Sequence, residues 1–228
     1  MERITTAATP LYYPESDGKL MGETDVHIDA VIYLREALRD YFRDDQQVYA
    51  AANMLLYYEE GNPAACVAPD VFVVQGVAKG ERRTYRLWEE GQPPSVVFEI
   101  TSRGTRLEDL GTKRAVYAML GVQAYFLYDP LGEYLRPPLQ GYRLQEGEYQ
   151  RILPEANRGL TSRTLVLELQ VEEGRLRLVN PATGERLLTP AEAQAAHRAE
   201  AAARCAAEAE LERLRAELAR LRGETRGS

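Results

Sequence analysis

Only two cysteines occur in the 228 residues, Cys66 and Cys205, far apart and with no CxxC or Cys/His spacing beside either. A zinc centre and a disulfide framework are therefore not what organises this chain, and a reducing compartment suits it. Long apolar runs are missing too. No stretch approaches the roughly 18 apolar residues that cross a bilayer, and the opening MERITTAATP has no basic segment followed by an apolar one. The expectation is a cytoplasmic protein with no membrane partner. A surplus of positive charge is the third absence, since the net charge is -7. Coating of nucleic acid by bulk electrostatics is excluded, so any contact with phosphates has to be local. From Thr189 onward seven basic residues balance seven acidic ones, which leaves 21 basic against 28 acidic in the first 188. Acidic clustering there suits carboxylates that hold a cation, and equally a solvated acidic surface.

What the chain does have is 45% hydrophobic residues, enough for a core in one ordinary domain plus an appendage. Val31, Leu34, Leu38, Tyr41 and Phe42 recur at helical spacing and predict a first helix over Thr24 to Phe42, with Thr24 as its cap. Val48 to Tyr58 reads as one strand, broken at Gly61-Asn62-Pro63. Pro69-Asp70-Val71-Phe72-Val73-Val74 is apolar enough for a strand buried on both faces. After the excursion Gly76 to Pro94, Ser95 to Thr101 reads as a third strand, Thr105 to Leu120 as a helix closed by Gly121, and Val122 to Tyr128 as a fourth strand. The order is α-β-β-β-α-β. Hairpins are expected over Tyr142 to Leu153 and Leu165 to Val179, turning at Glu146-Gly147 and Glu173-Gly174. Thr189-Pro190-Ala191-Glu192 is a capping box that opens a long C-terminal helix. The expected division is therefore 1–188 and 189–228.

Chemistry starts from Asp70 and Glu99, two carboxylates on otherwise apolar strands. An unpaired buried charge costs several kcal/mol or forces protonation. A hard divalent cation, Mg²⁺ or Mn²⁺, is a fitting compensation, because Mg²⁺ accepts one or two carboxylates and keeps waters for substrate and nucleophile. On the next helix Asp109, Lys113 and Tyr117 share one face, with Leu107, Leu110, Val116 and Met119 or Leu120 opposite. Lys113 then reaches from the polar side toward the carboxylates, where its charge offsets negative charge growing on a phosphate. The plain alternative is an Asp109–Lys113 helix pair worth about 0.3 to 0.5 kcal/mol.

The run Pro69-Asp70, Glu99-Ile100-Thr101, Asp109-x-x-x-Lys113 and Gly121-Val122-x-x-Tyr125-Phe126-Leu127-Tyr128-Asp129-Pro130 resembles the Uma-two family of the PD-(D/E)XK superfamily, over about Gly22 to Pro190. The resemblance implies a restriction-endonuclease-like α/β core carrying extra C-terminal hairpins and a long helix, and a metal-dependent endonuclease acting on DNA. It implies Asp70 and Glu99 as metal ligands, with the Ile100 carbonyl as a third oxygen. The lysine usual two residues after the acidic ligand is Thr101 here, so the resemblance makes Lys113 its replacement. It also brings in His27 and Glu23, near the start of the first helix, as accessory groups, against a plain reading of capping and a surface histidine.

Arg82, Arg83 and Arg86 are interleaved with Tyr85 and Trp88 in the excursion, and Arg103 and Arg106 follow the third strand; all five are candidates for nucleic-acid contact. The excursion suits a dimer contact or core cover equally. Leu211, Leu214, Leu218 and Leu221 keep a/d spacing for two heptads, which suggests a short coiled coil and a homodimer. The competing function is a silent nucleic-acid- or protein-binding module with a nuclease-like fold, assembled through that helix.

Overall fold

The computed structural model describes residues 11–16, 23–154 and 159–224, with side chains to Arg220. MERITTAATP, Gly22 and the side chain of Leu221 lie outside the described residues. The chain divides into two compact units, 1–187 and 188–228.

In the first unit, Thr24 caps α1 (Asp25–Tyr41), its hydroxyl accepting from the His27 N–H at 3.4 Å. Then come β1 (Val48–Ala52), β2 (Leu56–Tyr57), β3 (Cys66–Val67), β4 (Val71–Gln75), β5 (Tyr85–Arg86), α2 (Leu87–Glu90) and β6 (Val96–Ile100). They are followed by α3 (Arg106–Leu110), α4 (Thr112–Leu120), β7 (Ala124–Tyr128), β8 (Leu139–Gln145) and β9 (Glu148–Ile152). Strands β10 (Leu160–Ser162), β11 (Leu167–Glu172) and β12 (Arg175–Val179) complete it.

The main sheet runs β1-β4-β6-β7-β8-β9, with β1 at one edge. Strands β6 and β7 pair in parallel, and the crossover that a parallel pair requires is α3–α4. The expected α-β-β-β-α-β core is α1, β1, β4, β6, α3–α4 and β7. Both expected hairpins form. Their turns put Glu146 and Gly147 at φ 51° and 83°, and Glu173 and Gly174 at 50° and 76°, the two positive values a two-residue turn needs. The first hairpin starts earlier than expected, at Leu139, and extends the main sheet beside β7; the second lies in a separate sheet with β10.

Alternation along the strands separates two cores. Val71, Val73, Phe98, Ile100 and Phe126 face α1 and the β10–β12 sheet. Phe72, Val74, Val97, Tyr125 and Leu127 face the other way, toward Tyr117 of α4. Because side-chain direction has period two, Asp70 shares the face of Phe72, and Glu99 shares the face of Val97.

Two boundaries differ from expectation, each for a local reason. The strand expected over Val48 to Tyr58 is two: Asn53 takes φ 48° and donates its N–H to the carbonyls of Pro69 and Asp70 at 3.2 and 3.1 Å. The chain leaves the main sheet there, and β2 joins a small sheet with β3 and β5. The helix expected over Thr105 to Leu120 is broken at Gly111, whose ψ of -92° is not helical.

The orientation of that broken helix is inverted relative to its pattern. Leu107 and Met119 are 74% and 66% exposed, whereas Asp109 and Tyr117 are buried. The polar face turns inward because the sheet beneath it carries Glu99.

The second unit is α5 (Pro190–Glu224), opened by the expected box: Glu192 N–H donates to the Thr189 hydroxyl at 3.2 Å, and Thr189 N–H to the Glu192 carboxylate at 2.8 Å. Leu211, Leu214 and Leu218 are about half exposed on it. Among the described residues no helix is long and apolar enough to cross a membrane.

Candidate active site

The N-terminal end of β4 and the C-terminal end of β6 are neighbours, and Val71 pairs with Phe98. One step further along this register stand Asp70 and Glu99, on the same face. The Asp70 N–H points at Glu99 Oε2 at 3.4 Å, and the Ile100 N–H donates to Asp70 Oδ2 at 2.6 Å. Each acid is therefore tied to the backbone that carries the other.

Glu99 is fully buried and both its oxygens face donors. Tyr117 donates its hydroxyl to Oε1 at 2.6 Å, and Lys113 its ammonium to Oε2 at 2.8 Å. Lys113 also stands 3.2 Å from Asp109 Oδ1. Lys113 and Tyr117 lie one turn apart on α4, and Asp109 on α3 stands just before the break at Gly111, so the two short helices together deliver carboxylate, ammonium and phenol. The Tyr125 hydroxyl holds the Asp109 carbonyl at 2.8 Å and fixes the first of these groups.

His27, expected as a surface group on its plain reading, is 5% exposed. Its Nε2 lies 3.7 Å from Asp70 Oδ1 and its Nδ1 3.2 Å from Glu23 Oε2. The first turn of α1 thus reaches the outer oxygen of Asp70. Thr101 is also buried; its N–H donates to the Tyr128 carbonyl at 2.7 Å, while its hydroxyl has no hydrogen-bond partner among the described residues. A lysine at that position would lie beyond the end of β6, and Lys113 brings its ammonium to Glu99 from the helix instead.

The charges distort one another. Burial pushes the Glu99 carboxyl up to about 8, Lys113 opposes this, and the negative charges of Asp70 and Asp109 add to it. Burial pulls against the Lys113 cation, but Glu99, Asp109 and Asp70 hold it protonated above its usual range. Burial raises the Asp109 carboxyl as well, against the pull of Lys113. For His27 burial lowers the pKa, and the Asp70 carboxylate beside it, with the charges of Glu23 and Asp109, more than restores it.

One pH dependence follows. Glu99 holds its proton more tightly folded, near 8, than unfolded, near ~4.3. Its contribution to stability is complete below ~4.3 and is lost as pH rises through 8. In chelator, the stability of wild type relative to Glu99→Gln is expected to fall between pH 5 and 9 by denaturant unfolding. A difference that stays flat would mean that Glu99 ionises normally.

Among the described residues no three His, Cys, Asp or Glu side chains form a ready-made metal cage. The fit of a cation rests on the donor set and its charge. Asp70 and Glu99 offer hard oxygens, and Glu23, Asp70, Glu99 and Asp109 outnumber Lys113 and His27. Both Asp109 oxygens are buried without a well-formed hydrogen bond. A small hard divalent ion that takes one or two carboxylates and keeps its waters fits this set.

The candidate basic residues are scattered by comparison. Arg82 is committed to Glu90 at 2.6 and 2.9 Å and stacks over Tyr49; Arg86 pairs with Glu89 and lies over Tyr13. Tyr85 is fully buried and Trp88 packs on the small cluster of Tyr13, Leu55 and Tyr57, so the aromatics of the excursion cover core. Arg83 is exposed beside Glu15. Arg103 and Arg106 are exposed on the segment that directly follows Ile100 and Thr101.

The core order, the mixed sheet and paired acids at adjoining strand ends define a restriction-endonuclease-like α/β protein. The chain matches the Uma2 family, described as "Putative restriction endonuclease", over residues 8–177, and it belongs to that family. A solved structure to which it is similar is titled as "a putative nuclease belonging to DUF820" from Anabaena variabilis ATCC 29413. The TM-score is 0.44 and the identity 14%, over 62% of this chain and 80% of that one. No curated protein matches the chain.

Proposed function

We propose that the protein is a divalent-metal-dependent endonuclease that hydrolyses phosphodiester bonds in DNA. The observation that carries this reading is the meeting of Asp70 and Glu99, 29 residues apart in sequence, with the Lys113 ammonium 2.8 Å from Glu99. Asp70, Glu99 and the Ile100 carbonyl would hold Mg²⁺ or Mn²⁺. When bound, the ion supplies a Lewis acid and lowers the pKa of its water. Lys113, kept cationic by its three acidic neighbours, orients the attacking water and offsets charge on the phosphate. Tyr117 and the Ile100 N–H fix the two carboxylates against rotation, and His27, with Glu23 behind it, stands 3.7 Å from the other oxygen of Asp70. Arg103 and Arg106, exposed on the segment that follows Thr101, would contact phosphates of the substrate.

The competing reading is a domain that binds nucleic acid or protein without cutting. Retention of the full Asp70, Glu99 and Lys113 set favours catalysis. The deciding experiment incubates the full chain with duplex DNA, single-stranded DNA and RNA, with Mg²⁺, Mn²⁺ or chelator. Cleavage is expected on duplex DNA with either metal and absent in chelator. Binding without cleavage under every condition would select the competing reading.

We assign residues 1–188 to catalysis and 189–228 to pairing of two chains. Seam residues Leu211 and Leu218 occupy a sites, so Glu210 and Glu217 fall at g, and Arg215 and Arg222 at e. In a parallel pair each g acid meets an e arginine of the second copy, and in an antiparallel pair like charges meet. Leu214→Glu with Leu218→Glu is expected to convert a dimer to a monomer in sedimentation equilibrium; an unchanged mass would remove the pairing role. Two cysteines far apart in sequence, with no CxxC or Cys/His spacing, suit a reducing, cytoplasmic setting.

A further inference from the structure

A groove of about 890 Å³ runs beside the free edge of β1, between the C-terminal half of α1 and the loop at residues 79–83. In a chain of net charge -7, its lining holds Arg35, Arg39, Arg43, Lys79, Arg82 and Arg83 against one carboxylate, Glu81. Arg35 and Arg39 are four residues apart on one face of α1, and Arg43 follows them in the turn that closes the helix. At 1.5 Å per residue the two helical arginines stand about 12 and 18 Å along α1 from His27. The row of cations therefore starts on the same helix as His27, two turns beyond it.

The other wall leads to the same place. Strand β1 runs back along the groove, and at its end the Asn53 N–H donates to the Asp70 carbonyl at 3.1 Å. One end of the groove abuts the peptide that carries a proposed metal ligand.

The state of these cations matters more than their number. Arg39 donates to the Ala50 carbonyl at 3.1 Å, and Lys79 to the carbonyls of Phe42 and Arg43 at 2.6 and 2.7 Å. Both spend donors on backbone oxygens, and among the described residues no carboxylate pairs with either. Arg35, Arg43 and Arg83 pair with Glu36, Asp40 and Glu15, whose side chains are 44%, 66% and 41% exposed. Ion pairs this exposed are weak, and a phosphate can replace their carboxylates. Arg82, locked by Glu90 and Tyr49, is wall.

We propose that this groove binds the sugar-phosphate backbone of one strand of duplex DNA and leads it to the Asp70–Glu99 site. The five residues of β1 span about 16 Å, the axial length of about five nucleotides of one strand. Cations in a row position a backbone without reading sequence. A single strand needs aromatic platforms for its bases, and none is offered. Tyr49 is covered by Arg82, and Phe42 packs edge-on against Tyr41 at 4.8 Å.

This inference rests on the nuclease reading for its substrate, yet it is tested by binding alone. In full-length Asp70→Asn protein, affinity for a fluorescent 20-base-pair duplex is measured by anisotropy over a salt series, with and without Arg35→Gln and Arg43→Gln. Both arginines are on the surface, and matched melting curves check the fold. The double substitution is expected to weaken binding at least tenfold at 0.1 M salt. It should also make the slope of log affinity against log salt shallower by about two, near 0.9 per lost phosphate contact. Unchanged affinity and slope would overturn the proposal, as would tighter binding of single-stranded DNA or RNA than of duplex. Loss of duplex binding in the variant, beside a wild type that never cuts, would keep the groove and defeat the nuclease reading. Efficient cutting with unchanged binding in the variant would do the reverse.

Discussion

Asp70→Asn is expected to lower metal-dependent cleavage by about a thousandfold or more while the protein stays folded. A metal ligand contributes several kcal/mol to stabilising the charge of the transition state, and each 1.36 kcal/mol is a factor of ten in rate. The fold tolerates the change because an amide oxygen can still accept the Ile100 N–H that Asp70 Oδ2 accepts at 2.6 Å. Removing this charge also relieves Glu99, whose carboxyl Asp70 helps to push up. The measurement pairs single-turnover cleavage with thermal unfolding. A variant that unfolds, or one that cuts at the wild-type rate, would detach Asp70 from the chemistry.

Lys113→Met is expected to destabilise the metal-free protein by about 3 to 5 kcal/mol at pH 8.5, the usual effect of leaving a buried counter-charge alone. Glu99 and Asp109, both buried, lose the ammonium at 2.8 and 3.2 Å. Acid should rescue the variant. Burial already raises both carboxyls, Glu99 to about 8, and without Lys113 they stand higher still, so at pH 5.5 Glu99 is protonated in the folded state and the loss shrinks to under half. Denaturant unfolding at the two pH values checks this. An equal loss at both would mean that packing of the lysine stem, and not its charge, is what matters. Turnover should fall together with stability, because the same cation faces the proposed phosphate position.

Much of this site could be read from the chain alone, for a physical reason. Asp70 and Glu99 interrupt apolar strands, and an acid where burial is expected marks itself. The partners of those acids were harder to see. Tyr117 was placed on the stripe of Lys113, but nothing in its spacing told that its hydroxyl would hold Glu99. His27 carries no local mark, since its burial comes from contact between α1 and the end of β4, residues more than forty apart. Arg35 and Arg39 look like the solvated side of an amphipathic helix and Arg43 like part of its closing turn, and only the return of β1 beside them makes a groove. The strand break at Asn53 was hidden because its cause is hydrogen bonding to Pro69 and Asp70, which no window around Asn53 contains.

The inward charged side of α3–α4 has a consequence for how the molecule finds its shape. By hydropathy these helices would seat Leu107 and Met119 on the sheet, and a single acid beneath them selects the opposite rotation. The atom best suited to grip a cation is therefore also the one that tells two short helices which way round to settle. Drift that erased the chemistry by making this position greasy would take away that instruction, so the scaffold resists losing its reactive centre.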